Sequence, residues 1–244
     1  MPITAERGYL IPAINTVDCD YVTCAEQLAR SIREWHPRAN ITIVTADDLP
    51  HGDQGGFAND WQMFEISPYR QTIKLEADMW CASPVDHLWT LFEHRDVVIS
   101  RGCRDYYDRV STDRRYRRVF DRNSLLDVYN AVTYWRLSRT AQQFFATVRE
   151  IFDHWPRFQT LLTMPDEEPT TDVVYAMAAA ILGPESVTLP ESVSPKIVHM
   201  KRHIIGTAGE DWRQELVWEK TSPGLRINTV AQWGFVHYYH KDWT

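Results

Sequence analysis

Tyr9-Leu10-Ile11-Pro12-Ala13-Ile14 is an apolar run without polar alternation. That is the pattern of a strand covered on both faces. The next segment has a different period. Asp18 and Asp20 are both able to cap a helix; beyond them Val22, Ala25, Leu28, Ala29 and Ile32 recur at helical spacing as far as Trp35, and Pro37 closes the run. Ile41–Val44 is again short and apolar. Strand, helix and strand in this order make a βαβ unit, which calls for a right-handed crossover and a parallel sheet. The expectation is an α/β fold with a Rossmann-like sheet flanked by helices.

Outward from this unit, residues 46–68 read as loop, with His51-Gly52-Asp53-Gln54-Gly55-Gly56 as its turn-rich part. Thr72–Leu75 reads as a third strand, Val85–Phe92 as a short helix and Val97–Ser100 as a fourth strand. Val128–Trp135 is strand-like. Ser138 caps a helix to about Trp155, residues 156–169 read as a proline-punctuated loop, and Thr170 or Thr171 caps a helix through Leu182, stopped by Gly183-Pro184. Short strands are expected near Lys196–Met200, Glu215–Trp218 and Phe235–Tyr239. No linker divides residues 1–244, so a single domain is expected.

With 44% hydrophobic and 24% charged residues, the 244-residue chain is neither disordered, collagen-like nor coiled coil. Its longest apolar run, Val173–Leu182, is well short of the roughly 20 residues that span a bilayer, so no membrane partner is expected. Met1–Arg7 lacks the apolar core of a signal peptide. Cys19, Cys24, Cys81 and Cys103 form no CxxC pair, which fits reduced thiols in a cytoplasmic setting.

The net charge of −7 argues against a generic nucleic-acid binder, but charge is unevenly spread. Residues 101–122 hold eight arginines (101, 104, 109, 114, 115, 117, 118 and 122) against four aspartates (105, 108, 113 and 121). Tyr106, Tyr107 and Tyr116 are interleaved with them. Such a segment is either a solvated, salt-bridged loop or a directed patch for phosphates with aromatic rings able to stack on bases.

GxGxxG, Walker A, GxSxG and HExxH signatures are all absent. One segment stands out: Lys74-Leu75-Glu76-Ala77-Asp78-Met79. In extended backbone, residues two apart point the same way, so Glu76 and Asp78 are able to present oxygens together at a strand's C-terminal edge, where open α/β sheets bind ligands. Hard divalent cations want such oxygens. Alone, the pair also reads as an ordinary acidic turn.

The order of these features resembles the GT-A fold of nucleotide-sugar glycosyltransferases with family-eight-like architecture, over residues 8–205. The resemblance implies that the loop after the first strand, Pro12, Ala13, Ile14, Asn15 and Thr16, holds the nucleotide, with Arg70, Lys74 and Lys201 as cations for the donor. Glu76-Ala77-Asp78 is similar to the family's D-x-D motif, which chelates Mn²⁺ or Mg²⁺; its first residue contacts either the metal or the ribose. Tyr129-Asn130-Ala131 matches an F-N-[AS]-G strand. Asp172 matches an acidic residue that opens a helix near the sugar, although it also suits a helix N-terminus as such. Ile197-Val198-His199 matches a strand ending in the third metal ligand; a plain strand-end histidine is the other reading. Asp172 and Asn130 are thereby the candidate catalytic residues; Asp172 as a direct base would imply inversion and as a support it fits retention, toward which the family-eight-like arrangement tilts.

More narrowly, Tyr9-Leu-Ile-Pro-Ala-Ile-Asn-Thr16 and Ser67-Pro-Tyr-Arg-Gln-Thr-Ile-Lys-Leu-Glu-Ala-Asp-Met79 are similar to stretches of bacteriophage enzymes that glycosylate 5-hydroxymethylpyrimidines in phage DNA. This implies a UDP-sugar donor, double-stranded DNA with 5-hydroxymethylcytosine as acceptor, host cytoplasm as location, and a DNA-contacting role for Arg101, Arg104, Arg114, Arg115, Arg117 and Arg118. The rival expectations are a glycan, lipid or protein acceptor, and a non-catalytic DNA- or nucleotide-binding protein.

Overall fold

The computed structural model describes residues 2–110, 117–164, 168–200, 211–221 and 224–238. At its centre β1 (Ala5–Pro12) is buried from Gly8 to Ile11, as its unbroken apolar run requires. Helix α1 (Tyr21–Trp35) follows. Of the two candidate caps it is Asp20 that accepts a hydrogen bond from Thr23 N, at 3.2 Å. The chain then enters β2 (Ile41–Val44), parallel to β1.

A turn-rich stretch and the short helix α2 (Gln62–Ile66) lead to β3 (Tyr69–Leu75), which lies parallel to β1 on its other side. Strand β4 (Met79–Cys81) and helix α3 (His87–Phe92) connect β3 to β5 (Val97–Arg101). After helix α4 (Arg117–Asn123), β6 (Val128–Arg136) returns antiparallel between β3 and β5. The five-stranded order is β2-β1-β3-β6-β5. The expected parallel sheet is therefore mixed. Gly102 N bonds Asp127 O at 2.8 Å. The chain thus re-enters the sheet at the end where β5 left it, and β6 must run back.

Helix α5 (Arg139–Asp153), capped by Ser138, and helix α7 (Thr171–Leu182), capped by Thr170, cover one face of the sheet. Helices α1 and α3 cover the other. Side chains along β1 divide between the two cores in strand period: Leu10 joins the first, Tyr9 and Ile11 the second. The region 156–169 is not all loop. Trp155–Leu161 forms helix α6, because Pro156 sits in the first turn, where its missing N–H costs nothing. A short helix α8 (Pro184–Val187) follows Gly183.

Among the described residues there are two further small sheets. Strand β7 (Ile197–His199) belongs to the first. Near 215 the expected strand is displaced: Trp212–Glu215 is helix α9, with Asp211 accepting from Arg213 N at 3.0 Å, and the strand β8 begins at Trp218 (Trp218–Thr221). β9 (Gly224–Ile227) and β10 (Val230–Ala231) pair with it in the order β10-β9-β8. The last described strand, β11 (Phe235–His237), lies between β4 and β7. The whole is one α/β domain. Among the described residues no helix is long and apolar enough to cross a membrane.

Candidate active site

Glu76-Ala77-Asp78 is the step by which the chain passes from β3 of the large sheet to β4 of the small one. Glu76 N still bonds Ala131 O on β6, at 3.1 Å, while Asp78 O already accepts from Tyr238 N, at 3.2 Å, just past β11. The two carboxylates therefore straddle the junction of two sheets. β11 pairs with β4 so that His237 lies opposite Met79. Its imidazole reaches both acids: Nε2 stands 2.7 Å from Asp78 Oδ2, and Nδ1 stands 3.3 Å from Glu76 Oε2. Ligand atoms of Glu76, Asp78 and His237 all lie within 4.8 Å of one another. Two carboxylate oxygens and an imidazole form a donor set able to hold a divalent cation.

His199 stands one strand further off, opposite His237 on β7. Its Nδ1 meets the Tyr129 hydroxyl, which also meets His237 Nδ1. Tyr129 thus links the two imidazoles and fixes the ring that faces the carboxylates. Ile197-Val-His199 and Phe235-Val-His237 carry the same apolar-Val-His pattern. Pairing with β4 brings the second to the acids.

A cavity of about 460 Å³ opens beside this cluster. Pro12, Ile14, Asn15, Thr16 and Tyr21 wall one side, at the C-terminal end of β1. Asn15 is held by accepting from Val22 N at 3.0 Å. Burial first, and the Glu76 carboxylate as a lesser cause, raise the Tyr21 hydroxyl pKa to about 12, so it is a neutral donor. Thr170, Thr171 and Asp172 form another wall at the start of α7. Asp172 is buried and its Oδ1 accepts from Asn130 N at 2.6 Å.

Lys74 and Asp60 lie on the cavity floor. Lys74 is 2% exposed and its Nζ is 2.5 Å from Asp60 Oδ1. Asp60 Oδ2 accepts from the Tyr175 hydroxyl and, at 3.4 Å, from Asn130 Nδ2. Burial first, and the adjacent Asp60 carboxylate second, raise the Tyr175 pKa well above its ordinary value, keeping it protonated as that donor. Asn130 itself is fully buried, with Thr133 donating to its amide oxygen.

The structure thus gathers Pro12, Ile14, Asn15, Thr16, Lys74, Glu76, Asp78 and Asp172 around one cavity, with Ala13 and Asn130 packed behind it. Arg70 is elsewhere, exposed near the start of β3 and 3.7 Å from Glu6. Lys201, Arg114 and Arg115 lie outside the described residues, as does the side chain of Arg117. Arg101 ends β5, and Arg118 is exposed on α4. Arg104 bridges to β7, its carbonyl accepting from His199 N at 2.8 Å, while its side chain lies 3.6 Å from Asp108. The start of the arginine segment is thereby fastened to the sheet that carries His237. Asp53, Phe57, Asp60 and His237 also line the cavity, and sequence reasoning missed them. Tyr129 lines it too, and the sequence singles it out only as part of the Tyr129-Asn130-Ala131 motif.

No family model matches the sequence, and no curated protein matches it. Solved structures do. The fold is similar to the galactosyltransferase LgtC in complex with donor and acceptor sugar analogs, with a TM-score of 0.52 and 12% identity over 95% of this chain and 87% of that one. It is also similar to mouse xyloside xylosyltransferase 1, with a TM-score of 0.50 and 10% identity over 97% and 98% of the two chains. The chain has the GT-A glycosyltransferase fold. Within that fold, its own features are a Glu-Ala-Asp acidic pair and a histidine on the last described strand.

Proposed function

We propose that this protein is a metal-dependent glycosyltransferase that moves a sugar from a nucleotide-diphosphate donor, a UDP-sugar, to the hydroxymethyl group of 5-hydroxymethylcytosine in phage double-stranded DNA. The observation that carries the transferase reading is the convergence of Glu76, Asp78 and His237 at the mouth of a cavity in a GT-A fold. Transfer breaks the bond between the anomeric carbon and the diphosphate, and charge builds on the departing oxygen. Glu76, Asp78 and His237 would hold Mn²⁺ or Mg²⁺, which neutralises that charge when bound.

The chain's other groups divide the remaining work. Asn15, Thr16 and Tyr21 offer polar contacts to base and ribose. The Asp60–Lys74 pair and Asp172 face the sugar's hydroxyls. Because Asp172 is buried and already accepts from Asn130 N, it orients the sugar rather than takes the acceptor's proton. This supports a retaining outcome. The acceptor reading rests on the sequence resemblance and on the arginine segment, whose start is anchored beside His199. Phosphate neutralisation by such arginines supplies most sequence-independent affinity for DNA.

The test is a panel of nucleotide sugars with Mn²⁺ and duplex DNA containing 5-hydroxymethylcytosine, with unmodified duplex alongside, read by nucleoside mass spectrometry. A mass gain of one sugar on the modified base alone is expected, and Asp78→Ala abolishes it. Donor cleavage without any gain on DNA removes the acceptor assignment. Absence of both removes the transferase reading.

A further inference from the structure

Two residues on the cavity wall have no part in the chemistry above. Phe57 is 51% exposed although it is large and apolar. Asp53, four residues earlier, is also exposed and lines the same cavity. Both belong to a loop held by an unusual amount of internal bonding. Buried Gln62 donates to Gly52 O at 3.0 Å and accepts from His51 N at 3.0 Å. It also donates to Asn59 Oδ1 at 3.1 Å, and that oxygen accepts from Gln54 N at 2.8 Å. Gly55 and Gly56 adopt positive φ with open space where a Cβ would stand. They are glycines for the backbone path and not for room. A preorganised loop that presents an exposed ring loses little further freedom when something binds to it.

Asp53 has a specific asymmetry. Gly55 N at 2.8 Å and Asn59 Nδ2 at 2.6 Å both donate to Oδ1. Among the described residues Oδ2 accepts no hydrogen bond. One oxygen fixes the carboxylate, and the other is open as an acceptor. The same bonds hold the carboxyl below its ordinary pKa, so it is ionised at neutral pH.

We propose that Phe57 and Asp53 together read the acceptor base, the ring stacking on the pyrimidine and Asp53 Oδ2 accepting from the exocyclic amine of cytosine. This deepens, and rests on, the DNA-acceptor reading above. A base modified inside a duplex has to be turned out of the stack, and aromatic stacking replaces part of what it loses. A carboxylate accepts from the cytosine amine but faces only a carbonyl on uracil, so it discriminates between two bases of nearly equal shape.

The experiment compares duplexes that differ only in carrying 5-hydroxymethylcytosine or 5-hydroxymethyluracil, at equal donor and Mn²⁺. The readout is the ratio of kcat/KM for the two, which does not depend on the fraction of active enzyme. The unaltered protein favours the cytosine duplex by about tenfold or more. In Asp53→Asn the amide oxygen keeps the Gly55 and Asn59 bonds, and its NH₂ turns toward the base. It then donates to the uracil carbonyl and opposes the cytosine amine, so the preference falls to parity or inverts. Phe57→Ala raises the KM for both duplexes about tenfold, and Phe57→Trp restores it. An unchanged ratio in Asp53→Asn, or an unchanged KM in Phe57→Ala, with DNA still glycosylated, overturns the base-reading role and leaves the acceptor reading standing. No glycosylation of either duplex by the unaltered protein overturns both.

Discussion

Replacing His237 by alanine distinguishes two histidines that look alike in sequence. Both end a short strand, and both touch the Tyr129 hydroxyl. Strand order separates them. β11 is the direct neighbour of β4, whereas β7 is two strands away, about 9–10 Å across the sheet. His237 therefore stands at hydrogen-bond distance from Asp78, and His199 supports it from behind through Tyr129. Removing an outer partner of a metal ligand costs about 10- to 100-fold in affinity. His237→Ala, which removes one of three protein donors, is expected to weaken Mn²⁺ binding by at least about 100-fold, or roughly 2.7 kcal/mol. His199→Ala costs about tenfold, by loosening Tyr129. The assay is Mn²⁺ titration followed by electron paramagnetic resonance in saturating nucleoside diphosphate, with thermal melting without metal to check folding. An equal or larger loss in His199→Ala would refute the assignment of His237 as the nearer ligand.

The buried Lys74–Asp60 pair gives a stability prediction: Lys74→Met leaves Asp60 without its cation and costs about 3–5 kcal/mol in urea unfolding, and adding Asp60→Asn recovers most of it. A double variant as unstable as the single one would show that the loss is packing. Asp172→Asn keeps an oxygen for Asn130 N, so it lowers kcat only about tenfold and leaves the anomeric configuration, read by NMR of the product, unchanged. A loss beyond about a thousandfold would make Asp172 a proton acceptor. At Asp96, burial raises the carboxyl pKa, but hydrogen bonds from Arg136, Thr140 and Ser138 outweigh it, and the folded value lies below the ordinary one. Its stabilisation is therefore complete above about pH 4 and lost as pH falls through the folded value. Asp96→Asn accordingly destabilises at pH 7, and the gap from the unaltered protein narrows at pH 3 in denaturant titrations. A constant gap would contradict this.

What the sequence disclosed is what local period and capping encode. β1, α1 and β2 follow from an apolar run, a helical repeat and a second run, and Asp20, Ser138 and Thr170 cap where their side chains accept the free N–H groups. Glu76 and Asp78 stand out in the sequence as an acidic pair after an apolar strand, but they meet through the step between β3 and β4 and not by alternation along one strand. The direction of β6 was not visible, since it depends on where the connection after β5 re-enters. Helix α6 is hidden in the sequence because a proline that ends a helix and one that opens it, as Pro156 does, look alike. His237 lies 159 positions from Asp78, and only pairing between β4 and β11 joins them. Asp53 and Asp60 sit in a segment without period, and partners such as Asn59 and Lys74 that fix their carboxylates are predicted by no spacing.

The glutamate in the acidic pair has a geometric explanation at the sheet junction. Residue 76 is still bonded to β6 through its backbone N–H, whereas residue 78 already belongs to the small sheet, where its carbonyl accepts from Tyr238. The imidazole they share is carried by the small sheet. From position 78 an aspartate side chain, 5% exposed, is enough to reach it. From position 76 the carboxylate must cross from one sheet to the other, and the extra methylene of glutamate places Oε2 3.3 Å from His237 Nδ1 with the side chain 30% exposed. Both acids line the cavity, the shorter one the more buried and the longer one the more exposed. Asymmetry of length and exposure within one pair gives a buried anchor and a reachable ligand. In the proposed transferase the pair would hold a divalent cation, Asp78 from within and Glu76 from the more exposed side.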